Sequence, residues 1–143
     1  VDLDHFKPVN DAHGHVIGDE VLREFAERTS ELVRSGELLA RLAGDEFGIV
    51  MDAVSDEEPR RLAERLLSIL QFPVQTENGT RINLGASIGI AMAPRDGIEP
   101  RLLFKHADDA LYQAKESGRR NYQFHCAPSE DDTAKPERLC RAC

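Results

Sequence analysis

The sequence predicts an α/β (α+β) sandwich, a largely antiparallel five-stranded central sheet flanked by helices. Three observations carry this. Short apolar runs suited to strands interleave with stretches whose apolar residues recur at helical spacing. Tight-turn sequences, Ala43-Gly44-Asp45-Glu46 and Asn78-Gly79, join successive strands and make them antiparallel neighbours. The length of 143 residues, 41% of them hydrophobic and 31% charged, suits one domain that buries its own core.

Each element follows in order. Val1 to Asp4 alternates apolar and acidic residues, as a half-buried strand does. Phe6 to His13 is a short helix, with Pro8 tolerated in its first turn. Gly14 to Gly18 is a loop, and Asp19 is the expected N-cap of a helix carrying Val21, Leu22, Phe25, Ala26, Leu32 and Val33. Glu37 to Leu42 and Phe47 to Met51 are strands around the first tight turn. Ser55-Asp56-Glu57-Glu58 is a capping-box pattern opening a helix with Leu62, Ala63, Leu66, Leu67 and Leu70 inward. Asn78-Gly79 marks a minor hairpin, Gly85 to Met92 an apolar strand and Pro94 to Gly97 a loop. Pro100 to Ser117 is an amphipathic helix closed by Gly118 at the C′ position, and Asn121 to His125 is a last strand. Phe25, Phe47 and Phe104 are expected in the core. The domain is expected over residues 1–125, with a polar, flexible tail over 126–143.

Composition narrows the function. A net charge of −8 argues against nonspecific DNA binding, which needs a basic face. No apolar run approaches the ~18 residues that span a membrane, and no signal-peptide pattern opens the chain. The chain starts inside a strand without an initiator Met, so a sensor or membrane segment elsewhere in a longer protein is expected. Three cysteines, two of them Cys140 and Cys143, suit a reducing, cytoplasmic setting. Cys126, Cys140 and Cys143 near His125 lack the paired motifs of a structural zinc site and read as tail thiols. His13 and His15 lack partner cysteines. Asp2 and Asp4 hint at an EF-hand loop, but Lys7 stands where that loop needs glycine and His13 where it needs glutamate.

Two acidic clusters lie at strand ends and turns: Asp2-Leu3-Asp4, and Asp45-Glu46 in the hairpin. Carboxylates on neighbouring strands can share hard cations, and two such cations can clamp a phosphate and activate a hydroxyl. Taken alone, the same residues read equally well as solvated turn carboxylates.

The segment Asp2-Leu3-Asp4-His5-Phe6-Lys7-Pro8-Val9-Asn10-Asp11-Ala12-His13-Gly14-His15-Val16-Ile17-Gly18-Asp19 resembles the D-x-D-x-F-K-x-x-N-D-x-x-G-H-x-x-G-D run of the GGDEF, or diguanylate cyclase, family. Arg41-Leu42-Ala43-Gly44-Asp45-Glu46-Phe47 resembles its signature hairpin, with Ala43 in place of the first glycine, and Ser87 to Ala91 and Ala107 to Arg119 resemble its closing strand and helix. The resemblance implies a palm-like nucleotidyl cyclase fold and the condensation of two GTP molecules into cyclic di-GMP with release of pyrophosphate, in a homodimer. It implies Mg2+ (or Mn2+) held by Asp2, the Leu3 carbonyl and Asp45. It gives Asp45 the further role of base, Glu46 a supporting role, and Lys7 stabilisation of charge on the reacting phosphates. It makes Asn10 and Asp19 guanine readers, with His15 flanking them, and Lys115 and Arg119 triphosphate contacts. It implies a product site at Arg34, Glu37 and Arg65, with Glu37 where the family motif has aspartate, and regulatory or sensor domains in the full protein. Two alternatives compete: a GTP- or product-binding regulatory module without turnover, beside an EAL phosphodiesterase domain, and an adenylyl cyclase-like palm. The intact acids with Lys7 argue against the first, and the Asn10/Asp19 pair argues against adenine.

Overall fold

The structure, a computed structural model, describes residues 1–126. Its elements are β1 (Asp2–Asp4), α1 (Phe6–His13), α2 (His15–Ser30), β2 (Leu38–Ala43), β3 (Glu46–Val50), α3 (Glu57–Ile69), β4 (Val74–Gln75), β5 (Arg81–Ile82), β6 (Gly85–Ile90), α4 (Pro100–Glu116) and β7 (Tyr122–Phe124). Five strands form one sheet in the order β2-β3-β1-β6-β7, and β4-β5 is a separate two-stranded ribbon. Every pair in the main sheet is antiparallel except β6 with β7, which is parallel. The sandwich is therefore the one expected from the element order, with α4 as the crossover that a parallel pair requires.

Register assigns the two faces. Leu3 pairs with Ala86, and Arg41 with Phe47. The apolar set Leu3, Phe47 and Ala86 packs against Val21, Leu22 and Phe25 of α2, while Ile88 packs against Leu62, Ala63 and Leu66 of α3. Phe25 and Phe47 meet edge to face with ring centroids 4.7 Å apart, a favoured aromatic geometry. The opposite face carries Asp2, Asp4, Ser87 and Gly89, and α4 covers it. A Cβ at Gly89 would fall on the Ala107 carbonyl oxygen and the Leu111 amide, so glycine there is the condition for α4 to lie directly on β6. The helix answers with small residues: Ala110 and Ala114 are 0% exposed.

That close approach overturns one core expectation. Phe104 is 57% exposed, because the inward stripe of α4 is built from alanines and leaves no room for an aromatic ring. Helix starts also differ. Asp19 does not cap α2; the helix begins at His15 behind Gly14, whose φ of 83° breaks it from α1, and Asp19 lies exposed in its second turn. Leu32 and Val33 fall beyond the helix end at Ser30. The capping box of α3 is shifted: Asp56 precedes the helix with no side-chain cap, the Val54 amide donates to Glu58 Oε2 at 2.8 Å, and Asp56 pairs instead with Arg95 at 2.6 Å. Gly118 does stand just past α4, at φ 105°. Residues 127–143, where the tail and Cys140 and Cys143 fall, lie outside the described residues.

Candidate active site

Side-chain alternation along β1 builds the site. Leu3 points into the core, so Asp2 and Asp4 point to the α4 face. All three are buried; the acidic side of this strand is covered rather than half-solvated, because the end of α4 and the corner after it close over it. The chain leaves β1 through His5 in a left-handed conformation (φ 59°) and turns at once into α1. This places Lys7 and the first turn of α1 beside the two aspartates.

A cleft of about 220 Å³ opens there, lined by Asp2, Leu3, Asp4, His5, Phe6, Lys7, Pro8, Asp45, Lys115 and Arg119. Asp45 comes from the β2–β3 turn, whose position is set from β1: the Leu3 amide donates to the Asp45 carbonyl at 3.2 Å, and Val1 and Phe47 exchange both backbone bonds at 2.8 and 2.9 Å. The turn closes on Gly44 at φ 48°, with Arg41 Nε donating to the Gly44 carbonyl at 2.8 Å. Ala43 sits at an irregularity between Arg41 and Ala43 in the β2–β3 register, is exposed, and has no positive φ, so the backbone accepts alanine there. Lys115 and Arg119 reach the cleft from the end of α4 and the corner beyond it. Lys115 Nζ lies 2.8 Å from Asp2 Oδ2, a largely shielded ion pair.

The cleft sets three carboxylates (Asp2, Asp4, Asp45) against three cations (Lys7, Lys115, Arg119). The two aspartates of β1 are not equivalent. Asp4 Oδ1 accepts from Ser87 Oγ at 2.7 Å and Oδ2 from the Arg120 amide at 3.0 Å, so its oxygens are engaged within the protein. Asp2 and Asp45 with the Leu3 carbonyl make an all-oxygen donor set, the kind a hard divalent cation takes; these residues fit such an ion. Among the described residues no three His, Cys, Asp or Glu side chains converge on one point.

Glu46 pairs with Asp2 across β1 and β3 but is exposed and does not line the cleft. Asn10, His15 and Asp19 lie outside its lining, on α1 and α2. Asn10 sits against Gly18, where a Cβ would fall on Asn10 Oδ1 and lie 3.2 Å from Phe6 Cζ. Arg34, Glu37 and Arg65 are separate again. The Arg34 amide donates to Glu37 Oε2 at 2.7 Å, and the Arg34 guanidinium lies 3.6 Å from Glu58 Oε1. Arg65 is exposed on α3. Sequence reasoning missed Ser87 and Arg120, which engage Asp4. Only the β1–β6 register and the turn after α4 bring them there.

Fold and cleft together define a mixed α/β domain that presents carboxylate and carbonyl oxygens side by side with cationic side chains. The family model described as "Diguanylate cyclase, GGDEF domain" matches residues 1–121. The bifunctional diguanylate cyclase/cyclic di-GMP phosphodiesterase MucR of Pseudomonas aeruginosa is 44% identical over 124 residues, which are 87% of this chain and 18% of MucR. The cyclic di-GMP phosphodiesterase NbdA of the same organism is 40% identical over 124 residues, 87% of this chain and 16% of NbdA. The crystal structure of the GGDEF domain of PA1120 (YfiN or TpbB) from Pseudomonas aeruginosa matches with a TM-score of 0.85 at 34% identity, over 88% of this chain and 79% of that one. The chain belongs to the GGDEF family. It spans less than a fifth of the length of these two curated relatives.

Proposed function

We propose that this chain joins two GTP molecules into cyclic di-GMP, releasing pyrophosphate, as a homodimer in which each subunit holds one GTP. The observation that supports this most is the cleft, where three separate stretches of chain contribute carboxylates and cations to one face. Asp2, the Leu3 carbonyl and Asp45 would hold Mg2+ or Mn2+. Such an ion, when bound, withdraws charge from phosphate oxygens and lowers the pKa of a nearby hydroxyl. Asp45 accepts the proton of the ribose 3′-hydroxyl supplied by the GTP of the other subunit, with Glu46 next to it in support. Lys7, the first turn of α1 and Arg119 take the phosphates, the electrostatic need of phosphoryl transfer. Lys115, held in the cleft by Asp2, exchanges that carboxylate for phosphate when nucleotide enters.

Guanine is read by Asn10 and Asp19, with His15 beside them. A carboxylate accepts two bonds from the N1–H and 2-amino donors, which adenine does not offer as a pair. Arg34, Glu37 and Arg65 form the product site. GTP as substrate sets the domain in the cytoplasm, fed by sensor or regulatory domains of a longer protein. Among the described residues no helix is long and apolar enough to cross a membrane.

A second reading has one observation in its favour: NbdA, a relative named as a phosphodiesterase, carries a stretch 40% identical to this chain. On that reading the domain binds GTP and regulates a neighbour without turnover. One experiment separates the two. The chain, fused to a dimerising coiled coil, is incubated with GTP and Mg2+ and the products are resolved by chromatography. Cyclic di-GMP and pyrophosphate support the cyclase. GTP binding without product supports the regulatory module, and neither binding nor product refutes both.

A further inference from the structure

We infer that Asp4 is a positioning residue for Arg119: through the Arg120 amide it holds the corner after α4 in the conformation that carries the Arg119 side chain into the cleft. The inference rests on the nucleotide reading of that cleft and adds a residue to it.

The corner is strained. Gly118, Arg119 and Arg120 are three successive residues at positive φ, 105°, 62° and 50°. Glycine takes such a conformation without penalty, but a non-glycine residue there is strained by its own Cβ. Two arginines in a row therefore persist only where surrounding bonds over-determine them. Most of those bonds are local. The Arg119 amide donates to the Ala114 carbonyl at 3.1 Å and the Gly118 amide to the Lys115 carbonyl at 3.3 Å. Asn121 Nδ2 donates to the Ala114 and Arg119 carbonyls at 2.9 and 2.8 Å. These bonds tie the corner to α4 and to itself, but say nothing of where it sits over β1.

Asp4 supplies that tie. Among the described residues, the bond from the Arg120 amide to Asp4 Oδ2 is the hydrogen bond that links this corner to β1, the strand carrying Asp2 and Leu3. Asp4 is itself fixed from the other side by Ser87 Oγ on β6, and it is only 7% exposed. The Arg120 side chain runs across Gly85, the β6 partner of Asp4, where a Cβ would meet Arg120 Cγ and Nε at 2.8 Å. Gly85 has no positive φ, so its missing side chain serves space, not backbone freedom. Asp4, Ser87 and Gly85 together form a seat for Arg120. With Arg120 seated, the Arg119 side chain lines the cleft together with Lys115 and Lys7.

This also distinguishes the two aspartates of the Asp2-Leu3-Asp4 pattern. Asp2 faces the ligand, whereas Asp4 acts through the backbone. A charge is not needed for that role. An asparagine keeps the shape, its oxygen accepts from the Arg120 amide, and its NH2 donates to a Ser87 hydroxyl that has turned to accept.

The test uses inorganic tripolyphosphate with Mg2+ as the probe, titrated calorimetrically into the full chain. Arg119→Ala should weaken binding by roughly tenfold or more, the worth of a charge-assisted bond to phosphate. Asp4→Ala should weaken it comparably, Asp4→Asn by less than about threefold, and Asp4→Ala in an Arg119→Ala background by no more than about twofold, the near-complete non-additivity of residues acting through one group. Equal losses from Asp4→Ala with and without Arg119 overturn the inference. So does a loss of about tenfold or more in Asp4→Asn, which would mean that the carboxylate charge acts on ligand or cation directly. The Asp4→Asn arm stands even if Asp4→Ala does not fold. If instead the unaltered chain fails to bind tripolyphosphate, or Arg119→Ala leaves binding unchanged, the nucleotide reading itself has failed, and the inference with it.

Discussion

Replacing Gly18 by alanine separates two things that usually move together, the stability of a helix and the function of its neighbour. Gly18 lies inside α2 with ordinary helical backbone, so alanine raises helix propensity by about 0.8–1.0 kcal/mol. The new Cβ, however, would fall on Asn10 Oδ1 and lie 2.9 Å from Asn10 Cγ and 3.2 Å from Phe6 Cζ. Overpacking of this kind costs about 1–3 kcal/mol, and the amide end of Asn10 gives way first because it is half-buried and, among the described residues, its side chain has no hydrogen-bond partner. The two effects nearly cancel, and net stability falls by about 0–2 kcal/mol. Asn10 is displaced, and the guanine bond proposed for it is lost, worth about 0.5–1.5 kcal/mol, or up to about tenfold in Kd. The assay pairs thermal unfolding with calorimetric titration of a non-hydrolysable GTP analogue. A Gly18→Ala chain that unfolds cooperatively and binds the analogue within about twofold of the unaltered chain refutes the reasoning, as does an Asn10→Ala/Gly18→Ala double variant that loses the sum of both single effects.

Asp45→Asn keeps shape but loses the charge proposed to hold a cation and accept a proton; turnover should fall by roughly 10²–10⁴ with the melting temperature unchanged, and near-normal turnover removes Asp45 from the mechanism. Asp19→Ala should weaken GTP binding by about 1.5–3 kcal/mol and discrimination against ATP with it; since Asp19 caps no helix here, unfolding by denaturant should show no accompanying loss of stability. Glu37 spends its carboxylate on the Arg34 amide of its own turn, so Glu37→Asp, too short to fold back, should bind cyclic di-GMP about tenfold more tightly by calorimetry; equal or weaker binding shows that the site tolerates either acid. The last prediction concerns pH. Burial pushes the Asp96 carboxyl up, but the Met92 amide, the His125 ring and the Arg95 guanidinium outweigh it and hold the carboxyl below its ordinary value. A depressed folded pKa stabilises the fold above the unfolded value of about 3.9, and that contribution is lost as pH falls through the lower folded value. Asp96→Asn should therefore destabilise the chain at pH 7 by about 1–3 kcal/mol. The gap to the unaltered chain should close in unfolding curves taken progressively below pH 4; a gap constant with pH refutes the linkage.

The sequence by itself determined the sheet, its hairpins and the family, because period-two and helical spacings, Gly44 and Gly79 turns and the Asp2-to-Asp19 run are local patterns that survive without coordinates. It determined the chemical types at the site for the same reason. What it left open depended on partners distant in the chain. Asp2 and Asp4 look alike in sequence, and only the β1–β6 register, which puts Ser87 beside Asp4, and the corner after α4, which brings the Arg120 amide, give them different tasks. Asp19 reads as a helix cap because its local preference is strong, yet Gly14 breaks the chain earlier and the helix propagates through Gly18 to serve Asn10. Phe104 reads as core from its apolarity, yet Gly89 draws α4 so close to β6 that alanines alone fit beneath it. For Asp4 and Phe104 the deciding contacts are long-range ones that tertiary packing alone creates, whereas at Asp19 a cap preference of about a kilocalorie yields to the chain break at Gly14.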